Sequence, residues 1–206
     1  MRRLCVVCEG ETEANFVDNC LGPYLTERSD FSVYAPLLKA PSGRHRGGHV
    51  SVDRLAEFVS CQYFQADRVT TLVDYYGFED IRGRNKTELE AVILQAVVRR
   101  SERINPLYVM PYVQMHEFEG LLFSDTDAFA LLMDDWTEET RRELQKIRKA
   151  FATPEDINNG PMTSPAKRLQ NLFPNFSKNV HGVLLAEHIG VDKMKEQCPL
   201  VRAWLE

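Results

Sequence analysis

Apolar positions along this chain change period several times, and the changes mark out its elements. Residues 3–8 (RLCVVC) read as a short buried strand. From Thr12 to about Leu25, the residues Ala14, Phe16, Val17, Leu21 and Leu25 recur at the spacing of one helix face. Thr12 is the expected N-cap of that helix, with Gly10 making the turn before it. Residues 31–38 (FSVYAPLL) predict a second strand, which Pro36 places near an edge. After the basic loop PSGRHRGGHV, a helix is expected over about 52–64. The β-branched run RVTTLV at 68–73 predicts a third strand that ends at Asp74. A helix over 87–103 and a fourth strand at 107–114 (LYVMPYVQ), ending at HEFE, complete the alternation.

Strands alternating with helices imply parallel βαβ units. The expected fold class is therefore α/β, with a mostly parallel, Rossmann-like sheet flanked by helices. From Asp125 onward the strand pattern stops, and WTEETRRELQKIRKAF, SPAKRLQNLF and CPLVRAWLE read as helices. This divides the chain into an α/β core over 1–125 and an α-helical C-terminal part over 126–206, packed on the core.

Composition narrows the function classes. The chain has 206 residues, 44% of them hydrophobic, which suffices for a full core. Lys and Arg number 25 against 30 Asp and Glu, a formal charge of −5. A freestanding protein that coats nucleic acid is usually basic, so action on nucleic acid would need a local basic strip, a metal ion or a partner chain. The apolar run after Met1 is too short for a signal peptide, and no stretch reaches the roughly 20 apolar residues of a membrane span. Cys5, Cys8, Cys20, Cys61 and Cys198 are odd in number, and no second ligand pair supports a zinc knuckle around Cys5 and Cys8. Buried reduced thiols, and hence a cytoplasmic location, are expected.

Three strands end in acids: Glu9 after the first, Asp74 after the third, and Glu117 and Glu119 after the fourth. Ligands of open α/β sheets bind at these strand ends, so the coincidence marks a candidate active site. EGETE crowds Glu9, Glu11 and Glu13 together. Glu9 and Glu13 lie one helical turn, about 6 Å, apart and can share a cation. Early helical acids also suit the helix dipole, worth roughly 0.3–1 kcal/mol, and the residues alone leave both explanations open. HEFE lacks the second histidine of a zinc HExxH helix, so its oxygen-dominated donors favour Mg²⁺ or Mn²⁺. His116 reads either as a substrate contact or as a structural histidine.

Phosphoryl chemistry also needs positive charge. GPMTSPAKRLQ supplies Ser164, Lys167 and Arg168 at a helix start, and FSKNVHG supplies Lys178 and His181. Arg44, His45 and Arg46 are placed to meet a phosphate backbone from the basic loop.

The ordered set VVCEGETE, TTLVDYYGF, PYVQMHEFEGLLFSD, PEDINNGPMTSPAKRL, KNVHG and CPLVRAWL resembles a family of small bacterial Toprim-like domains of unknown function. That family is related to the nuclease domain of OLD-family (overcoming lysogenization defect) proteins, and the resemblance spans nearly the whole chain. It implies a Toprim-like fold and metal-dependent phosphodiester cleavage. Glu9, Glu13 and Asp74 would then be metal ligands, with Glu117 or Glu119 completing the shell or orienting water. Lys167 matches the phosphate-stabilising lysine of OLD-type nucleases. The pattern departs at Tyr76, which stands where Toprim proteins commonly carry a second aspartate.

The resemblance further implies an ABC-type or AAA ATPase partner in phage or mobile-element defence, with DNA rather than RNA as substrate. The chain itself has no Walker A motif. Two other readings stay open: a non-catalytic Toprim-like adaptor of an ATPase, and a metal-dependent phosphatase or nucleotidyl-transfer enzyme acting on small nucleotides.

Overall fold

A computed structural model describes residues 1–38, 50–158, 160 and 162–206. Two compact units are present, Met1–Met115 and His116–Glu206.

The first unit is built on a parallel sheet. Strand β1 (Arg2–Cys8) pairs on one side with β2 (Phe31–Tyr34) and on the other with β3 (Arg68–Asp74). Two short strands, β4 (Val109–Met110) and β5 (Val113–Gln114), both pair with β3. The order β2-β1-β3-β4 and the uniform parallel pairing confirm the α/β, Rossmann-like class.

Alternation along β1 buries both faces of the strand. Cys5 and Val7 join Val69, Val73, Val109 and Val113 in one apolar cluster. Helices α3 (Val52–Tyr63) and α4 (Lys86–Val98) cover it with Leu55, Val59, Leu89, Ile93 and Val97. Val6 and Cys8 alternate to the other side and are equally buried. Among the five cysteines, Cys61 alone is exposed, and all five are free thiols.

The first helix differs from its expected form at both ends. Its N-cap is Gly10 in extended conformation rather than Thr12, because the Glu13 side chain reaches back to the Gly10 N–H (3.1 Å). Helix α1 (Glu11–Phe16) passes through a π-helical turn (Val17–Leu21) into α2 (Gly22–Arg28). Pro23 explains the wide turn: it has no N–H for the regular ladder and its ring crowds the carbonyl a turn earlier. The expected second strand stops at Tyr34, with only Leu37 bridging back to Cys8. Helix α4 starts on an Asn85–Glu88 capping box and ends at Val98, earlier than the periodicity predicts.

The expected fourth strand is split. Pro111 cannot donate to a ladder, yet the register against β3 is the same on both sides of the gap. The buried Thr71 side chain spans it, donating to the Tyr112 carbonyl (2.7 Å) and accepting from the Tyr112 N–H (2.9 Å). Thr70 likewise donates to the Met110 carbonyl (2.6 Å).

The second unit is helical. A buried 3₁₀ segment, Phe118–Ser124, precedes α5 (Glu138–Lys149), α6 (Pro165–Leu172), α7 (Val183–Ile189), α8 (Val191–Gln197) and α9 (Pro199–Leu205). Phe123, Phe129 and Phe173 run through its core, the last two stacked at 5.7 Å between ring centroids and Phe123 tilted against Phe129. Gly190, at φ +79°, makes the sharp turn from α7 to α8. Glu155 is buried and accepts from the Leu200 and Val201 N–H groups (2.9 and 3.0 Å), so its charge is held by the start of α9. Among the described residues no helix is long and apolar enough to cross a membrane.

Thr71→Val keeps the shape of the side chain but leaves the Tyr112 peptide unpaired inside the sheet. It should lower stability by about 1–3 kcal/mol, measured by urea unfolding.

Candidate functional site

In a sheet of order 2-1-3-4, the chain reverses its direction of winding between β1 and β3, and a crevice opens at their carboxyl ends. Glu9 follows β1 directly and Asp74 is the last residue of β3. The Glu9 N–H donates to the Leu72 carbonyl (3.3 Å), and the Glu9 carboxylate accepts from the Asp74 N–H (3.3 Å). Both side chains are half-buried.

Gly77 closes the other side of Glu9. A Cβ at this glycine would lie 2.5 Å from one Glu9 carboxylate oxygen, so a methyl there would displace the carboxylate. The loop is itself pinned: the Gly77 carbonyl accepts from the Val50 N–H (2.9 Å), and the Val50 carbonyl from the Glu79 N–H (3.0 Å). The glycine of DYYGF was the available signal for this contact, although nothing local indicates which side chain it meets. Tyr76, in the departing position, is 63% exposed and meets the Tyr75 ring edge-on.

The second unit gathers a different set. Glu119 is 2% exposed, and its carboxylate lies 3.1 Å from the Lys178 ammonium, which is 4.0 Å from Glu117. Glu117 also accepts from the Ala166 N–H (2.9 Å), so it caps α6 in place of the Ser164 side chain. Burial raises the Glu119 pKa, and Lys178 opposes that rise. His116 has a left-handed backbone, φ +63°, and its Nδ1 lies 3.2 Å from the Asn158 amide. Burial lowers the His116 pKa, while Asp156 and Glu117 pull it upward.

The remaining cations are placed separately. Lys167 is exposed on α6, whereas Arg168 donates to the Thr163 carbonyl (2.7 Å) and lies over the Phe151 ring. His181 accepts from the Ser177 N–H (2.9 Å) and stacks on Phe176. Arg44, His45 and Arg46 lie outside the described residues. Sequence reasoning missed Asn158 and Glu155, whose partners are distant in the chain.

Among the described residues, no group of three or more His, Cys, Asp and Glu side chains is close enough to hold a metal ion. Mg²⁺ and Mn²⁺ need less, commonly one or two carboxylates plus water and substrate oxygens, and the pair Glu9 and Asp74 fits that demand.

A family model described as "Domain of unknown function (DUF4276)" matches residues 8–206. The chain belongs to this family. The match takes in every residue discussed above from Glu9 to His181. No curated protein and no solved structure matches the chain.

The buried Glu119 makes a signed prediction. A carboxyl group whose folded pKa is raised favours the folded state below its unfolded pKa and loses that advantage as pH rises through the folded value. Glu119→Gln should therefore raise Tm at neutral pH. The gain should close as pH falls to the ordinary glutamate value of 4.5, read by calorimetry across that range.

Proposed function

We propose that this chain is a metal-dependent phosphodiester hydrolase, a nuclease of Toprim/OLD type. The reading rests on one observation: Glu9 and Asp74 end the two adjacent strands between which the sheet reverses its winding order. Phosphate-bearing ligands are commonly bound at that place in open α/β sheets.

In this reading Glu9 and Asp74 hold a Mg²⁺ or Mn²⁺ ion. When bound, the ion supplies Lewis-acid stabilisation of charge on the phosphoryl oxygens. The protein's own part is to fix the ligands. The Asp74 N–H and Gly77 limit where the Glu9 carboxylate can go, and Glu13 holds the turn at Gly10 that follows it. Tyr76 offers an exposed ring beside Asp74, suited to stacking on a nucleobase. The buried Glu119 and the part-exposed Lys178 form an acid and cation pair of the kind that handles protons at active sites. The net charge of −5 fits a chain whose partner holds the nucleic acid, and an ABC-type ATPase is the proposed partner, in the cytoplasm.

A second reading has its own observation. With no third carboxylate close enough to join Glu9 and Asp74 among the described residues, a non-catalytic adaptor that keeps the fold and binds an ATPase is also consistent.

Calorimetric titration of Mg²⁺ and Mn²⁺ separates the two. Wild type should bind, and Glu9→Gln and Asp74→Asn should each lose binding and cleavage while changing stability by less than about 1 kcal/mol. Cleavage that survives Glu9→Gln would overturn the hydrolase, and no binding in wild type would favour the adaptor. Gly77→Ala should leave the fold intact, because the clashing atoms end a flexible side chain, yet weaken metal binding by about 10–100-fold.

A further inference from the structure

The opposite end of the same sheet holds a second constellation that the hydrolase reading does not use. Arg2 opens β1 and Arg68 opens β3. With Tyr63, Asp67 and Tyr108 they line a cavity of about 460 Å³. Its size falls within the range of small-molecule sites, roughly 300–1,000 Å³, and well above that of one inorganic ion.

Just beneath the surface of this cavity lies an unsatisfied donor on one of its lining residues. Arg68 Nη1 is buried and makes no hydrogen bond among the described residues. Its guanidinium is instead held over the Tyr108 ring, 4.2 Å from the centroid. Buried guanidinium N–H groups are costly to leave without acceptors, and their fork geometry matches phosphate and carboxylate oxygens. The other polar groups are partly committed. Arg2 turns Nε and Nη2 to Asp30, Asp67 accepts from the Arg3 N–H (2.7 Å), and Tyr63 accepts from the Asn105 N–H (3.0 Å) while keeping its own proton to donate. The Asp67 carboxylate on the wall is offset in part by Arg2 beside it.

We propose that this cavity binds a small organic oxyanion, one phosphate or carboxylate group gripped by Arg68 and carried on a body that fills the remaining space beside Tyr63. The site is separate from the strand-end acids. Arg68 and Asp74 are the first and last residues of β3, about 20 Å apart at the usual rise per residue. A ligand here cannot be the phosphodiester held at Glu9 and Asp74, so the site suits an effector rather than the substrate.

Titration calorimetry of the full chain with adenosine monophosphate, benzoate, inorganic phosphate and adenosine tests this. Adenosine monophosphate or benzoate should bind, and which of them does so identifies phosphate or carboxylate as the gripped group. Inorganic phosphate should bind more weakly, lacking a body, and adenosine should not bind. Arg68→Gln should weaken anion binding by about tenfold or more, with Arg68→Lys between the two. Glu9→Gln should leave it unchanged, so failure of the hydrolase reading and failure of this one are distinguishable. Undiminished affinity in Arg68→Gln, or no binding of any anion by wild type, overturns the proposal. Should Arg68→Gln not fold, Arg68→Lys and Tyr63→Phe carry the same comparison.

Discussion

The pairing of β1 with β3 is the constraint on which the first unit depends. β1 lies between two parallel neighbours and has its Cys5–Cys8 stretch fully buried, so its residues can serve only packing until the strand ends. The register that sets Cys8 beside Leu72 brings Glu9 and Asp74 out of the sheet together. Because the chain winds outward in opposite directions from these strands, the crossovers among the described residues diverge and leave a crevice at their ends. Two carboxylates that are distant in sequence therefore share one crevice as a consequence of strand order.

The crowded acids of EGETE are accommodated by the same local geometry. Glu13 is held by the Gly10 N–H and Glu9 by the Asp74 N–H, so two of the three glutamates meet a backbone donor. The second unit uses the same device. Glu117 takes the start of α6 and Glu155 the start of α9, while the most buried acid, Glu119, faces Lys178. Helix starts carry partial positive charge and unpaired N–H groups, which lets this acidic chain bury carboxylates without a matching number of arginines and lysines.

The two ends of the sheet differ in kind. The carboxyl ends present carboxylates against a glycine-tight loop, and the amino ends present Arg2 and Arg68 among tyrosines. Seven-residue strands separate acid from base along one rigid element. A cation-dependent site and an anion-binding site can thus coexist in one small unit without neutralising each other.

Much of this was legible in the order of residues. Short apolar runs and β-branched content located the sheet strands of the first unit, and helical spacing located the helices between them. The acids at strand ends could be named because a strand's last residue is a local property. Local pattern could not place a π turn just before Pro23 or show that Thr71 would bridge the gap at Pro111, since both depend on neighbours supplied by packing. It also missed the helices between Val183 and Gln197, and it could not show that Lys178 would face Glu119. By itself the sequence determined which segments are strands and helices and which residue types stand at their ends, because those follow from side-chain period and backbone preference. Only the tertiary structure decided which ends meet: strand order, the approach of Gly77 to Glu9, and the unsatisfied Arg68 donor arise from contacts across the fold, where local propensity carries no information.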